Sequence, residues 1–107
     1  MLENLPKHEA FRLADQVSRR KYQVCSKSLC SIPGAEITLL AFDGGEGVSA
    51  EQYSGDTLYT VLDGACSIEH SRSEELSTGE SIVFPEGCEH SLSCTEPFRI
   101  LQLTVNK

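Results

Sequence analysis

The pattern of hydrophobic and polar positions changes character near residue 22. Between His8 and Arg20, the apolar residues Ala10, Phe11, Leu13, Ala14 and Val17 recur at helical spacing. Arg19, Arg20 and Lys21 follow, where the negative pole of a helix would lie. This stretch predicts one short amphipathic helix, or a loose segment with a single helical turn. Beyond it, runs of Val, Ile, Leu, Thr, Tyr and Phe alternate with Gly, Pro, Ser and Asp punctuation. The runs predict strands over Gln23–Ser28, Glu36–Ala41, Leu58–Leu62, Cys66–His70, Ser81–Phe84, His90–Ser93 and Phe98–Val105. Turn chemistry separates them at Pro33-Gly34, Asp43-Gly44-Gly45, Ser54-Gly55-Asp56, Asp63-Gly64, Thr78-Gly79 and Pro85-Glu86-Gly87. Seven short strands with no helix between them predict an all-β antiparallel sandwich or barrel. No internal repeat, low-complexity tract or linker marks a second domain.

Composition narrows the class. At 107 residues the chain is one domain, with a core modest enough that surplus apolar faces are expected to meet a second copy. Residues 1–34 then form an N-terminal segment whose Phe11, Leu13, Val17 and Val24 would serve as a homodimer arm, and residues 35–107 form the barrel. An apolar content of 39% with 23% charged residues is globular, and no apolar run approaches the ~20 residues of a membrane helix. The opening MLENLPKHEAF carries Glu3 and no apolar stretch of the kind a secretion signal needs, so a cytoplasmic location and no membrane are expected. Residues 1–42 hold six Lys/Arg against four Asp/Glu, whereas residues 43–107 hold three against twelve. So acidic a surface argues against nucleic acid as a partner. The five cysteines, at 25, 30, 66, 88 and 94, are odd in number and form no C-x-x-C pair, which predicts free, mostly buried thiols rather than a disulfide framework or zinc knuckle.

From Gly45 onward the punctuation resembles that of the cupin superfamily. One motif reads Gly45, five residues, Glu51-Gln52-Tyr53, three residues, Thr57, six residues, Gly64. The other reads Gly79, five residues, Pro85-Glu86-Gly87, two residues, His90, three residues, Cys94. The framework glycines and the proline stand in register with the family pattern over residues 35–105. The resemblance implies an antiparallel double-stranded β-helix, a jelly-roll barrel of the sugar-nucleotide-epimerase type. It also implies a ligand set. The positions that hold a divalent cation in metal-binding cupins fall here on Glu51, Tyr53, Thr57 and His90, of which only His90 keeps its identity. His90 and Glu51 are thus the metal candidates, two donors where tight binding wants three or four.

Strand parity adds to the site. Cys88, His90, Leu92 and Cys94 lie at period two, as do Thr57, Tyr59 and Val61. With His90 facing inward, Glu51, Tyr53, Tyr59, Phe84, His90, Leu92 and Cys94 are expected to line a mostly apolar pocket with a few convergent polar groups, the usual form of a small-molecule site. A Glu51 carboxylate beside His90 would favour the protonated imidazole and make an acid/base pair or an anion-binding corner. His8 and His70 are expected to be exposed. The leading expectation is a dimeric, small-molecule-binding cupin without a cofactor. The alternatives are a metal-dependent enzyme of dioxygenase or isomerase type, using His90 and Glu51 with Tyr53 or Cys94 for iron, manganese or zinc, and a ligand-sensing or interaction module. Proton transfer by His90 with Tyr53 or Tyr59 on a nucleotide sugar is disfavoured, because only Arg72 and Arg99 are on offer for its phosphates.

Overall fold

Alternating inward and outward side chains make most of the chain into strands. The computed structural model describes residues 1–106, in which a lone 3-10 turn at Leu13–Gln16 precedes nine strands. These are β1 (Val24–Ile32), β2 (Ala35–Phe42), β3 (Gly47–Glu51), β4 (Asp56–Asp63), β5 (Ala65–Glu69), β6 (Ser73–Ser77), β7 (Ser81–Phe84), β8 (His90–Ser93) and β9 (Phe98–Val105). They form a five-stranded sheet in the order β1-β2-β9-β4-β7 and a four-stranded sheet in the order β3-β8-β5-β6, and every pairing is antiparallel. The all-β jelly roll expected from the sequence is the fold observed.

Two hydrophobic layers hold it together. The inner layer lies between the sheets and contains Phe42, Tyr59, Val61, Cys66, Ile68, Leu76, Phe84, Leu92, Phe98 and Ile100. Phe42 and Phe98 are a cross-strand pair of β2 and β9, and their rings stack at 4.5 Å. The outer layer covers the far face of the larger sheet, where Val17, Leu29, Leu39 and Ala41 are buried together with Leu5 and Leu13 against them. This second cover explains why Ile37–Phe42 reads as a nearly continuous apolar run: its side chains are packed on both faces of the sheet. A bulge at Leu29 lets consecutive residues Leu29 and Cys30 both be buried on β1.

Residues 1–23 take the second of the two forms expected of them, a loose segment with a single helical turn. Before β1 the only regular structure is the 3-10 turn, and Val17 is drawn down onto the outer face of its own sheet. Arg99 fastens it there, donating from Nε to the Val17 carbonyl at 3.0 Å while its guanidinium pairs with Asp63 at 3.0 Å. Packing of the residue at the end of the periodic run prevailed over the helical period itself. β1 is hydrogen-bonded to β2, so residues 24–32 belong to the barrel's larger sheet. No helix of the described residues is long and apolar enough to cross a membrane.

Candidate functional site

A cavity lies between the two sheets, and each sheet lines it with polar side chains. On β8 and β3, His90 stands opposite Glu51, and Leu92 opposite Val48. On β4 and β9, Tyr59 stands opposite Gln102. These residues, with Leu40, Tyr53 and Ser91, line a cavity of about 150 Å³. Five of the seven expected pocket residues meet there: Glu51, Tyr53, Tyr59, His90 and Leu92.

The other two are placed elsewhere. Phe84 lies behind the imidazole rather than on the cavity wall, with its ring stacked on His90 at 4.2 Å and 2° from parallel. Cys94 keeps the inward parity of His90, but four residues of strand carry it about 13 Å along the barrel. There its thiol donates to the carbonyls of Asp43 and Glu46, each at 3.3 Å. The cavity instead includes Leu40, Val48, Ser91 and Gln102, which sequence reasoning missed.

His90 is 3% exposed and held at both ring nitrogens. Nδ1 lies 3.0 Å from the Cys88 carbonyl, which can only accept, so Nδ1 is the donor of that bond and, when the ring is neutral, the nitrogen that carries its proton. Nε2 is then an acceptor, and the Tyr59 hydroxyl donates to it at 2.8 Å. On the other side of the cavity the Tyr53 hydroxyl donates to Glu51 Oε2. Glu51 and His90 stand opposite one another without bonding directly: each is bonded to a tyrosine, and among the described residues their carboxylate and imidazole make no ion pair. Burial raises the Tyr53 pKa above the ordinary phenol range, and its bond to the Glu51 carboxylate adds to the rise. Burial pushes Tyr59 far higher, with Tyr53 and Glu51 contributing in the same direction. Both tyrosines are neutral donors throughout the physiological range.

The residues at the family's ligand positions do not fit a divalent cation. The lone pair of His90 Nε2 is taken by Tyr59, and the Thr57 hydroxyl is buried at 3.2 Å from that of Thr104. Among the described residues no three His, Cys, Asp or Glu side chains cluster closely enough to ligate a metal.

His70, expected to be exposed, is partly buried. Its ring meets Phe84 edge-on at 5.3 Å, on a ring whose face is already stacked on His90, and its buried Nε2 has no hydrogen-bond partner.

No protein-family profile matches the sequence, and no curated protein is detectably similar to it. Similarity appears among solved structures. The chain is 32% identical to a cupin superfamily protein from Desulfitobacterium hafniense, with a TM-score of 0.96 over 100% of this chain and 99% of that one. It is 25% identical to a conserved protein of unknown function from Streptococcus pyogenes, with a TM-score of 0.94 over 99% and 94% of the two chains. A cupin 2 conserved barrel domain protein from Leptotrichia buccalis is 32% identical, with a TM-score of 0.86 over 90% of this chain and 47% of that one.

Proposed function

This chain belongs to the cupin superfamily, and we propose that its barrel is a metal-independent receptor for a small, donor-rich molecule, neutral or cationic. The observation that carries the reading is how the cavity's own hydrogen bonds are spent. The Tyr53 proton goes to Glu51 and, with the imidazole neutral, the Tyr59 proton goes to His90, so neither phenol keeps a proton for a guest and the side-chain donors left on the wall are those of Ser91 and Gln102. The remaining Glu51 oxygen is an acceptor. Glu51 is the one Asp or Glu among the described lining residues, and no Lys or Arg stands with it there.

An acceptor-rich wall calls for a ligand that donates. An ammonium group satisfies this best, because it can bond the carboxylate and lie against the aromatic rings. Leu40, Val48 and Leu92 supply an apolar wall for a short hydrocarbon portion. A cavity of about 150 Å³ limits the guest to about the size of a benzene ring. The chain's formal charge of −7 attracts cations toward the mouth.

Titration by NMR with n-pentylamine, n-pentanol and n-pentanoate tests this, because the three share a tail and differ in head group. The amine is expected to shift resonances of Tyr53, Tyr59 and His90 most strongly, and Glu51→Gln to weaken it at least tenfold, as loss of a charge-assisted hydrogen bond of about 1.5–3 kcal/mol requires. Pentanoate binding as tightly as the amine, or no saturable shift with any of the three, would overturn the reading.

A further inference from the structure

β5 and β8 pair antiparallel, with Ser67 opposite Ser93 and Ile68 opposite Leu92. Continued by one pair, the same register sets Cys66 opposite Cys94. Both have the inward parity of Ile68 and Leu92: Cys66 is 3% exposed in the inner layer, and Cys94 packs against that layer from the β2–β3 side. Directly opposed residues of an antiparallel ladder have Cα atoms about 4.5 or 5.5 Å apart, and both spacings lie within the range a disulfide spans. Cys25 and Cys30 stand opposite Ala41 and Ile37, and Cys88 lies in the turn before β8, so Cys66 and Cys94 are the one pair of thiols that strand register brings face to face among the described residues.

We propose that Cys66 and Cys94 form a reversible cross-strand disulfide, a redox modification site separate from the ligand cavity. Cys94 is the entry point because it is partly exposed, whereas Cys66 is buried. With hydrogen peroxide as oxidant, the Cys94 thiolate attacks one peroxide oxygen and the O–O bond breaks. The sulfur becomes a sulfenic acid and the released hydroxide takes up a proton as water. The Cys66 sulfur, losing its proton, then attacks the Cys94 sulfur. The S–O bond breaks, the S–S bond forms, and a second water departs. Two thiols are oxidised by two electrons in all and one peroxide is reduced. Burial holds both thiols above the usual range, Cys66 at about 11, so the resting pair is protonated and the first step is slow.

The bond has a structural consequence. To reach Cys66, the Cys94 sulfur must leave the carbonyls of Asp43 and Glu46. Asp43 keeps a second donor, the Glu46 amide at 3.1 Å, and Gly45 remains bonded to the Cys94 carbonyl at 3.0 Å. Oxidation thus loosens the turn that leads into β3, the strand that brings Val48 and Glu51 to the cavity, without releasing it.

Peptide mapping of the folded, unliganded wild-type protein after millimolar hydrogen peroxide is the test. The expected result is one cross-link joining the peptides of Cys66 and Cys94, loss of two of the five titratable thiols, and full recovery with dithiothreitol. Cys94→Ser abolishes the cross-link, and Cys25→Ser leaves it intact. A map showing a different cysteine pair, only sulfinic acid at Cys94, or five unchanged thiols overturns the proposal. The readout is independent of ligand binding, so it stands or fails apart from the receptor reading.

Discussion

Removing the Tyr59 hydroxyl tests the site where it is most constrained. Tyr59 is 1% exposed, its hydroxyl lies 2.8 Å from His90 Nε2, and Tyr59→Phe keeps the ring and its volume. No cavity is created, so the change is polar. His90 cannot turn to find another donor, because Nδ1 is bonded to the Cys88 carbonyl and the ring plane is clamped on Phe84 at 4.2 Å. Nε2 is left as a buried acceptor without a partner, at a cost of about 1–3 kcal/mol. For a domain of this size each kcal/mol lowers Tm by roughly 4–8 °C. Replacing the imidazole as well, with His90→Phe, removes the orphan and preserves the stack. Urea unfolding of the wild type, both single variants and the double variant gives the coupling directly. The double variant is expected to be more stable than the sum of the single losses predicts, by about 0.5–1.5 kcal/mol. Additivity within about 0.3 kcal/mol, or a Tyr59→Phe cost below about 0.5 kcal/mol, refutes the account of His90 as a buried ring hydrogen-bonded at both nitrogens, with Nε2 accepting from Tyr59.

Two further outcomes follow from turns. Gly64 and Gly79 both have positive φ, at +93° and +88°, but a Cβ on Gly64 would lie 2.6 Å from the Pro97 carbonyl, whereas one on Gly79 meets nothing within 4 Å. Gly79→Ala is expected to cost about 1–2 kcal/mol from conformation alone and Gly64→Ala clearly more, which thermal unfolding checks; equal losses would show that the close approach yields freely. Glu80 accepts from the Ser77 amide and hydroxyl at 2.9 Å each, and the backbone bond foremost holds its pKa below the usual value. A depressed folded pKa stabilises the fold above the unfolded value of about 4.3 and ceases to do so as pH falls through the folded one, so Tm should drop on acidification below about pH 4 with a shallower slope in Glu80→Gln. Identical acid limbs in the two proteins would remove Glu80 from that account.

Most of the barrel was legible because its strands carry the apolar, β-branched signal on at least one face. Ser81–Phe84, His90–Ser93 and Phe98–Val105 occur at the expected bounds, and the other expected strands differ by a few residues at their ends. The two strands that were missed lack that signal for different reasons. Gly47–Glu51 is held by its neighbour rather than by propensity: Gly47 packs so closely on β8 that a Cβ would stand 2.5 Å from the Leu92 carbonyl. Ser73–Ser77 is an edge strand whose only buried side chain is Leu76, and its Glu74 and Glu75 belong to a charged surface that discourages pairing with another sheet.

The site was legible in parity but not in position along the strands. Alternation assigns His90, Leu92 and Cys94 to one face, yet it does not say how far along that face the cavity extends: it takes in His90 and Leu92 and stops short of Cys94. The opposite error concerns Gln102. Phe98, Ile100 and Thr104 all point inward on β9, and Gln102 shares their parity. A long polar side chain in an otherwise buried row signals a wetted stretch of the interior, and Tyr59 directly across from it gives the same signal from β4. Together these two cross-strand partners locate the cavity from the larger sheet, as His90 and Glu51 do from the smaller. What single-strand patterns could not give was the pairing of protons, with each tyrosine donating to a different partner. That pairing depends on which of several nearby acceptors each phenol reaches once the sheets are packed. The proposed preference for a donating guest rests on it, because it is what removes both phenol protons from the cavity.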